Sequence, residues 1–175
     1  MESTDLELLD RARAGDQRAF GELVSRYKGR TWAVCLRIAG NPHDAEDALQ
    51  NALTAAWQNL DKFRGDARFS TWLHRIAANA ALAVIRKRRE TPDENINQGL
   101  ASDAPRIDER VAVVEAVQSA LSDLPEAFRE AIVLREYAEL TYADIATHQG
   151  VPVQTVKSRI NRGRTQLREI LAPVI

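Results

Sequence analysis

Ala45, Ala48, Leu49, Ala52, Leu53, Ala56, Trp57 and Leu60 recur at steps of three and four residues over four turns, with Glu46, Asp47, Gln50 and Asn51 between them. Only an α-helix gathers such a set on one face, because its 3.6-residue period superposes i, i+3, i+4 and i+7, whereas a strand would alternate them. The same spacing runs through most of the chain. Phe20, Leu23, Val24, Tyr27, Val34, Cys35 and Ile38, interrupted around Gly29 to Trp32 but resuming in phase, predict one helix capped by Asp16 and stopped at Gly40-Asn41-Pro42, where Asn41 caps its successor with Pro42 in the first turn. Trp72, Leu73, Ile76, Ala77, Ala80, Val84 and Ile85 mark a third, capped by Ser70 and running into Arg86-Lys87-Arg88-Arg89. Between the second and third, Asp61 to Ser70 (DKFRGDARFS) breaks the period and reads as a loop. With 8 Gly, 6 Pro and 6% aromatic residues, a turn-rich all-β chain is disfavoured and the expected fold is all-α.

From Glu90 to about Arg106 the periodicity disappears into ETPDENINQGLASDAPR, which has two prolines, a glycine and almost no large apolar residue. The predicted organisation is therefore a helical bundle over residues 1–89, a flexible linker over 90–107 and a second helical domain over 108–175. At 45% hydrophobic residues the chain can bury a core, and each domain of this size stands near the lower end of independent stability. In the second domain, Val111, Val114, Val117 and Leu121 begin a helix, and Pro125 opens another through Phe128 and Ile132. Thr141-Tyr-Ala-Asp144 has the capping-box pattern of a short helix that stops by Gly150. A last helix follows Pro152, with Val153, Val156, Ile160 and Leu167 as its inner face.

Several function classes fall away at this stage. The single cysteine, Cys35, has no partner for an internal disulfide or a CxxC motif, which fits a reducing compartment. The first residues carry Glu2, Asp5 and Glu7 instead of the basic start of a secretory signal, and the longest apolar run, Ala80 to Ile85, is far shorter than the ~20 residues of a membrane span. A cytoplasmic protein without membrane insertion is expected. His43, His74 and His148 are dispersed, and no HExxH, nucleophile elbow or GxxxxGK loop accompanies them. No enzyme, metal site, cofactor or small-molecule substrate is expected.

The formal charge is −1, from 24 basic and 25 acidic residues, so any partner preference must lie in local clusters. The strongest is TYADIATHQGVPVQTVKSRINRGRTQLRE, Thr141 to Glu169: short helix, glycine turn, second helix. Ala146 is small enough for two helices to cross, Gly150 suits a left-handed turn, and the second helix offers Gln154, Thr155, Lys157, Ser158, Asn161, Arg162 and Arg164. From Val153 to Leu171 five basic residues face one acid, the sign expected of a helix entering a major groove. A second cluster sets Phe63, Phe69 and Trp72 beside Arg64, Arg68 and Arg75, a composition suited to stacking unpaired bases, although Trp72 also lies in the apolar stripe and fits a core. Arg86 to Arg89 read either as a backbone-binding run or as a solvated helix end beside its favourable dipole. Asp44, Glu46 and Asp47, with no Lys or Arg from Asn41 to Leu53, read in isolation as helix-start stabilisers.

In order, spacing and text these pieces resemble an extracytoplasmic-function sigma factor of bacterial RNA polymerase, from about Leu6 to Leu171. GDQRAFGELVSRY, DAEDALQNALTAAWQNLDKFRG and FSTWLHRIAANAALAVIRKRR resemble region 2, and ALSDLPEAFREAIVLREYAELTYADIA with VPVQTVKSRINRGRTQLRE resembles region 4. The resemblance implies that Asp44, Glu46, Asp47 and Gln50 dock on core RNA polymerase. It implies that Lys62, Phe63, Arg64, Arg68, Phe69, Arg75 and Asn79 meet the melted minus-ten element, with Arg86, Lys87 and Arg88 following its backbone. Gln154, Thr155, Lys157, Ser158, Asn161 and Arg162 are expected to read the minus-thirty-five element. Asn51 departs from the acid that commonly follows the glutamine, and Ala83 from an aspartate before the basic run.

The implied function is a promoter-specificity subunit that acts with core polymerase on duplex and melted promoter DNA, initiates transcription of a stress or signal regulon, and is held in check by an anti-sigma factor. The alternative from another class is a free-standing helix-turn-helix repressor or activator. Trapping displaced bases would offset part of the cost of opening the duplex. An 18-residue linker extends at most roughly 60 Å, which bounds the separation of the two elements.

Overall fold

The computed structural model describes residues 2–91 and 109–174, and among these the chain is wholly helical, as expected. The elements are α1 (Asp5–Arg13), α2 (Gln17–Ser25), α3 (Lys28–Ala39), α4 (Pro42–Gln58), a 3-10 turn (Leu60–Lys62), α5 (Phe69–Glu90), α6 (Glu109–Ser122), α7 (Glu126–Glu136), α8 (Tyr142–Gln149) and α9 (Val153–Leu171). Beyond Thr91 the predicted linker lies outside the described residues.

Two departures from the periodicity have local causes. The stripe from Phe20 to Ile38 is two helices, broken at Arg26 and Tyr27. Its parts serve different clusters: Ala19 and Leu23 pack with α1, whereas Val34, Cys35 and Ile38 pack with α4 and α5. Asp5 holds the joint, accepting from the Tyr27 hydroxyl and, at 2.7 Å, from Arg26. Helix α5 starts at Phe69, with Arg68 in the cap position and no side-chain cap, so Ser70 lies inside the first turn. Burial of the Phe69 ring against Tyr27, Phe63 and Trp72 sets that start.

Helix α1 stands outside the periodic segments. Its signal is Thr4-x-x-Glu7, a reciprocal box in which the Thr4 hydroxyl accepts from the Glu7 amide at 3.3 Å and the Glu7 carboxylate from the Thr4 amide at 2.8 Å. Other caps form as predicted. Asn41 accepts from the Asp44 amide at 2.9 Å, Thr141 and Asp144 close their box, and Gly150 takes the left-handed φ of 65° that ends α8.

The core has two parts. A smaller cluster joins α1 and α2 to the end of α4, the 3-10 turn and the start of α5 through Leu8, Leu23, Leu60, Phe63, Phe69 and Leu73. The larger runs from Val34, Ile38, Ala48 and Ile85 into Leu121, Leu124, Leu134, Ile145 and Ile160. The two helical sets therefore share buried surface, with α3 against α6 and α7 and α5 against α7. Within the second set, α9 crosses α7 at Gly163, where a Cβ would come 2.5 Å from Ile132 Cδ1. Val153, predicted on the inner face of α9, is exposed, as are Val111 and Val114 on α6.

Candidate nucleic-acid interface

Helices α8 and α9, turned by Gly150 through Val151 and Pro152, form the predicted helix-turn-helix. Val156, Ile160 and Gly163 face inward, which leaves Gln154, Lys157, Ser158, Asn161 and Arg162 exposed and Thr155 half-buried. A polar relay that periodicity could not indicate fixes this rotation. The buried Glu130 of α7 lies 2.5 Å from His148 Nε2 and accepts from Gln149 Nε2 at 3.0 Å, while Gln149 Oε1 accepts from Arg159 of α9 at 2.8 Å. Buried polar groups linked in this way hold a unique geometry, because each lost partner would leave another unsatisfied. Tyr142 adds a second tie, its ring 4.7 Å from the Arg135 guanidinium and 5.9 Å from the Lys157 ammonium.

The loop between the 3-10 turn and α5 carries the second cluster. Phe63 and Phe69, each 6% exposed, form its floor, with Phe63 and Trp72 centroids 5.2 Å apart. The aromatic rings thus hold the loop, while the cations Lys62, Arg64 and Arg68 stand exposed around it. Lys62, Phe63, Arg64, Trp72 and Arg75 line a cavity of about 180 Å³ on one side. On the other, Tyr27, Arg30, Phe63, Arg68 and Phe69 line one of about 370 Å³. Asn79, one turn beyond Arg75 on α5, is exposed, and Arg86 and Lys87 continue toward the helix end. Arg13, absent from the expected set, donates to the backbone carbonyl of Phe63 and lies 5.8 Å from its ring, so α1 positions this loop.

The acidic start of α4 divides. Glu46, Asp47 and Gln50 are exposed, but Asp44 is 7% exposed, pairs with Arg88 and accepts from Asn41 Nδ2 at 2.8 Å. His43, Asp47, Gln50, Lys87 and Arg88 border a groove between α4 and α5. Among the described residues no group of three His, Cys, Asp or Glu could hold a metal ion, and no helix is long and apolar enough to cross a membrane. Burial pushes the Cys35 thiol up to about 12, which leaves it inert.

Comparison with known proteins agrees with both halves of this geometry. The Sigma-70 region 2 family matches residues 23–91, and the Sigma-70 region 4 family matches residues 114–167. The chain is 35% identical to the ECF RNA polymerase sigma factor SigW of Bacillus subtilis, over 98% of each protein. It is 36% identical to the ECF RNA polymerase sigma-E factor of Escherichia coli, over 98% of this chain and 96% of that one. Among solved structures, CnrH in complex with the cytosolic domain of CnrY superposes with a TM-score of 0.69 at 31% identity, covering 97% of both chains. The sigma factor RpoE in complex with the anti-sigma factor NepR from Bartonella quintana gives 0.72 at 27% identity, covering 87% of this chain and 96% of that one. The chain belongs to the extracytoplasmic-function sigma factors of RNA polymerase.

Proposed function

We propose that this sigma factor works as the promoter-specificity subunit of a cytoplasmic RNA polymerase through three separate surfaces. Glu46, Asp47 and Gln50 dock on the core enzyme, while Asp44 acts behind them by fixing Arg88. The loop from Lys62 to Arg68, with Arg75 and Asn79, captures bases of the melted minus-ten element, and Arg86, Lys87 and Arg88 follow its backbone. Phe63 and Phe69 serve that loop mainly as its buried floor. The exposed face of α9, from Gln154 to Arg162, reads the minus-thirty-five element in the major groove, where side chains can distinguish every base pair.

The observation that carries this reading is the pairing of an outward recognition face on α9 with a second cationic surface of different construction around the Lys62–Arg68 loop. One suits an intact groove and the other suits unpaired bases. Such a protein is a dissociable initiation subunit and not a catalyst. The Bartonella quintana relative was solved with an anti-sigma factor, which supports an anti-sigma partner for this chain as well. Adding the chain to purified core polymerase should produce promoter-specific run-off transcripts. Tight operator binding without core enzyme, and no such transcripts with it, would favour the repressor instead.

A further inference from the structure

His74 of α5 lies at the seam between the two helical sets, beside the Ala138 backbone in the connection from α7 to α8. The ring is fully buried, and among the described residues neither of its nitrogens makes a well-formed hydrogen bond. An imidazole in such a place is tolerated neutral and penalised as a cation. Burial therefore holds its pKa down at about 4, with Arg30 of α3 acting in the same direction, while the Ala138 backbone and Glu139 oppose without prevailing. The other buried charged side chains among the described residues are engaged elsewhere. Asp44 of α4 pairs with Arg88, Arg129 of α7 donates to the Ile38, Ser122 and Leu124 carbonyls, and Glu130 meets His148 and Gln149.

The seam is weak at this point for two reasons. Glu139, next to Ala138, has a φ of 56° and is the one non-glycine residue with positive φ among the described residues, a backbone conformation that its surroundings must hold in place. Its pair with Arg30, at 2.8 Å, is more than half exposed on both sides and contributes little. A cavity of about 480 Å³ opens beside that pair, with Arg30, Asp66 and Arg68 on one wall and Glu139 and Asp144 on the other. Ser70 and Thr71, one turn before His74, also line it, so solvent reaches within a turn of the ring.

We infer that His74 is a proton-sensitive pin of the seam: its neutral ring keeps the Ala138–Glu139 turn seated on α5, and protonation unseats that turn and lets the two helical sets part while each stays folded. The sign follows from linkage. The seated ring has a pKa below the 6.5 of an exposed one, so the neutral form favours the closed chain above pH 6.5, and that preference is lost as pH falls toward about 4. The ratio of parted to closed chains then rises roughly fourfold at pH 6 and roughly tenfold at pH 5.5, relative to pH 7.5. Acidification thus acts on the chain directly, with no second protein to sense it. The switch belongs to the free chain and does not depend on which bases α5 or α9 reads.

Spin labels on the full chain at Gln17→Cys and Gln166→Cys, both exposed, report the separation of the two sets, while the buried Cys35 stays unlabelled. Arg37→Ala, which loses the 3.0 Å bond to Gln118 and the contact with the Tyr137 ring, serves as a second background with a larger parted population. In that background the ratio of long to short distances should rise roughly tenfold from pH 7.5 to 5.5, with the far-ultraviolet circular dichroism unchanged. Adding His74→Leu should abolish the rise, and His74→Phe should do the same, which separates loss of the proton from a packing defect peculiar to one side chain. His43 and His148 remain in every variant, so a response that survives both substitutions belongs to them and overturns the pin. A ratio that does not move with pH in either background overturns it as well. Loss of helical signal together with the longer distances would make the event unfolding and not parting, and would also overturn it.

Discussion

Asp44, at the start of α4, pairs with Arg88, near the end of α5, and joins the acidic surface to the basic one. Sequence assigns these residues to different partners, yet in the fold each is the other's counter-ion. Asp44 is the buried member and also accepts from Asn41, so it ties the α4 cap to the last turns of α5. Asp44→Ala should cost about 2 kcal/mol of stability, since Arg88 would lose its partner while still half-buried. Urea unfolding checks this, and an unchanged midpoint would make Asp44 a surface acid.

Asp47, three residues on, is exposed and outside the apolar stripe. Asp47→Arg should therefore leave the unfolding midpoint in place while reducing capture of the chain by core polymerase in a pull-down. Equal loss of both would place the defect in the fold.

Arg162 is exposed on α9, one turn beyond Ser158. Arg162→Ala should weaken use of the upstream element by roughly 1–3 kcal/mol. In run-off transcription, templates with intact and scrambled upstream elements should converge for the variant. Retained discrimination would exclude Arg162 from the reading face.

His74 is 1% exposed, and among the described residues neither ring nitrogen makes a well-formed hydrogen bond. Burial lowers its pKa from 6.5 to about 4, with the nearby Arg30 acting in the same direction and the Ala138 backbone and Glu139 opposing. A histidine whose folded pKa lies below the unfolded one stabilises the fold fully above 6.5, and that contribution is lost as pH falls toward about 4. Unfolding free energy should decline across this window by up to about 3 kcal/mol in total. In His74→Leu the decline should be smaller, as chemical denaturation at pH 7.5 and 5 would reveal.

Much of this fold was legible because its helices bury one face and cap conventionally. Asn41, Thr141 and Gly150 each do what their side chain or lack of one allows. What escaped is non-local. The stripe from Phe20 to Ile38 stays in phase across its break, so periodicity could not reveal that α2 and α3 serve different clusters. Gly163 gives no period signal of its own, yet α9 approaches α7 there. Of the candidate site, most exposed residues of α9 were legible from spacing, although Val153 is exposed against expectation and Thr155 is half-buried. The burial of Asp44, Phe63 and Phe69 was not, because it depends on Arg88 and Tyr27, which are distant in sequence, and on the way the loop folds Phe63 back onto Phe69 and Trp72. Arg13 and the Glu130–His148–Gln149–Arg159 relay belong to the same class.

The central claim is that one chain redirects a polymerase by holding two elements of a promoter at once. Transcription start sites mapped on a genomic template library, with core enzyme alone and with core plus this chain, test it most directly. The account predicts a new, narrow set of start sites sharing two upstream motifs at a fixed spacing, lost at each site when either motif is scrambled. The same start sites with and without the chain would contradict it.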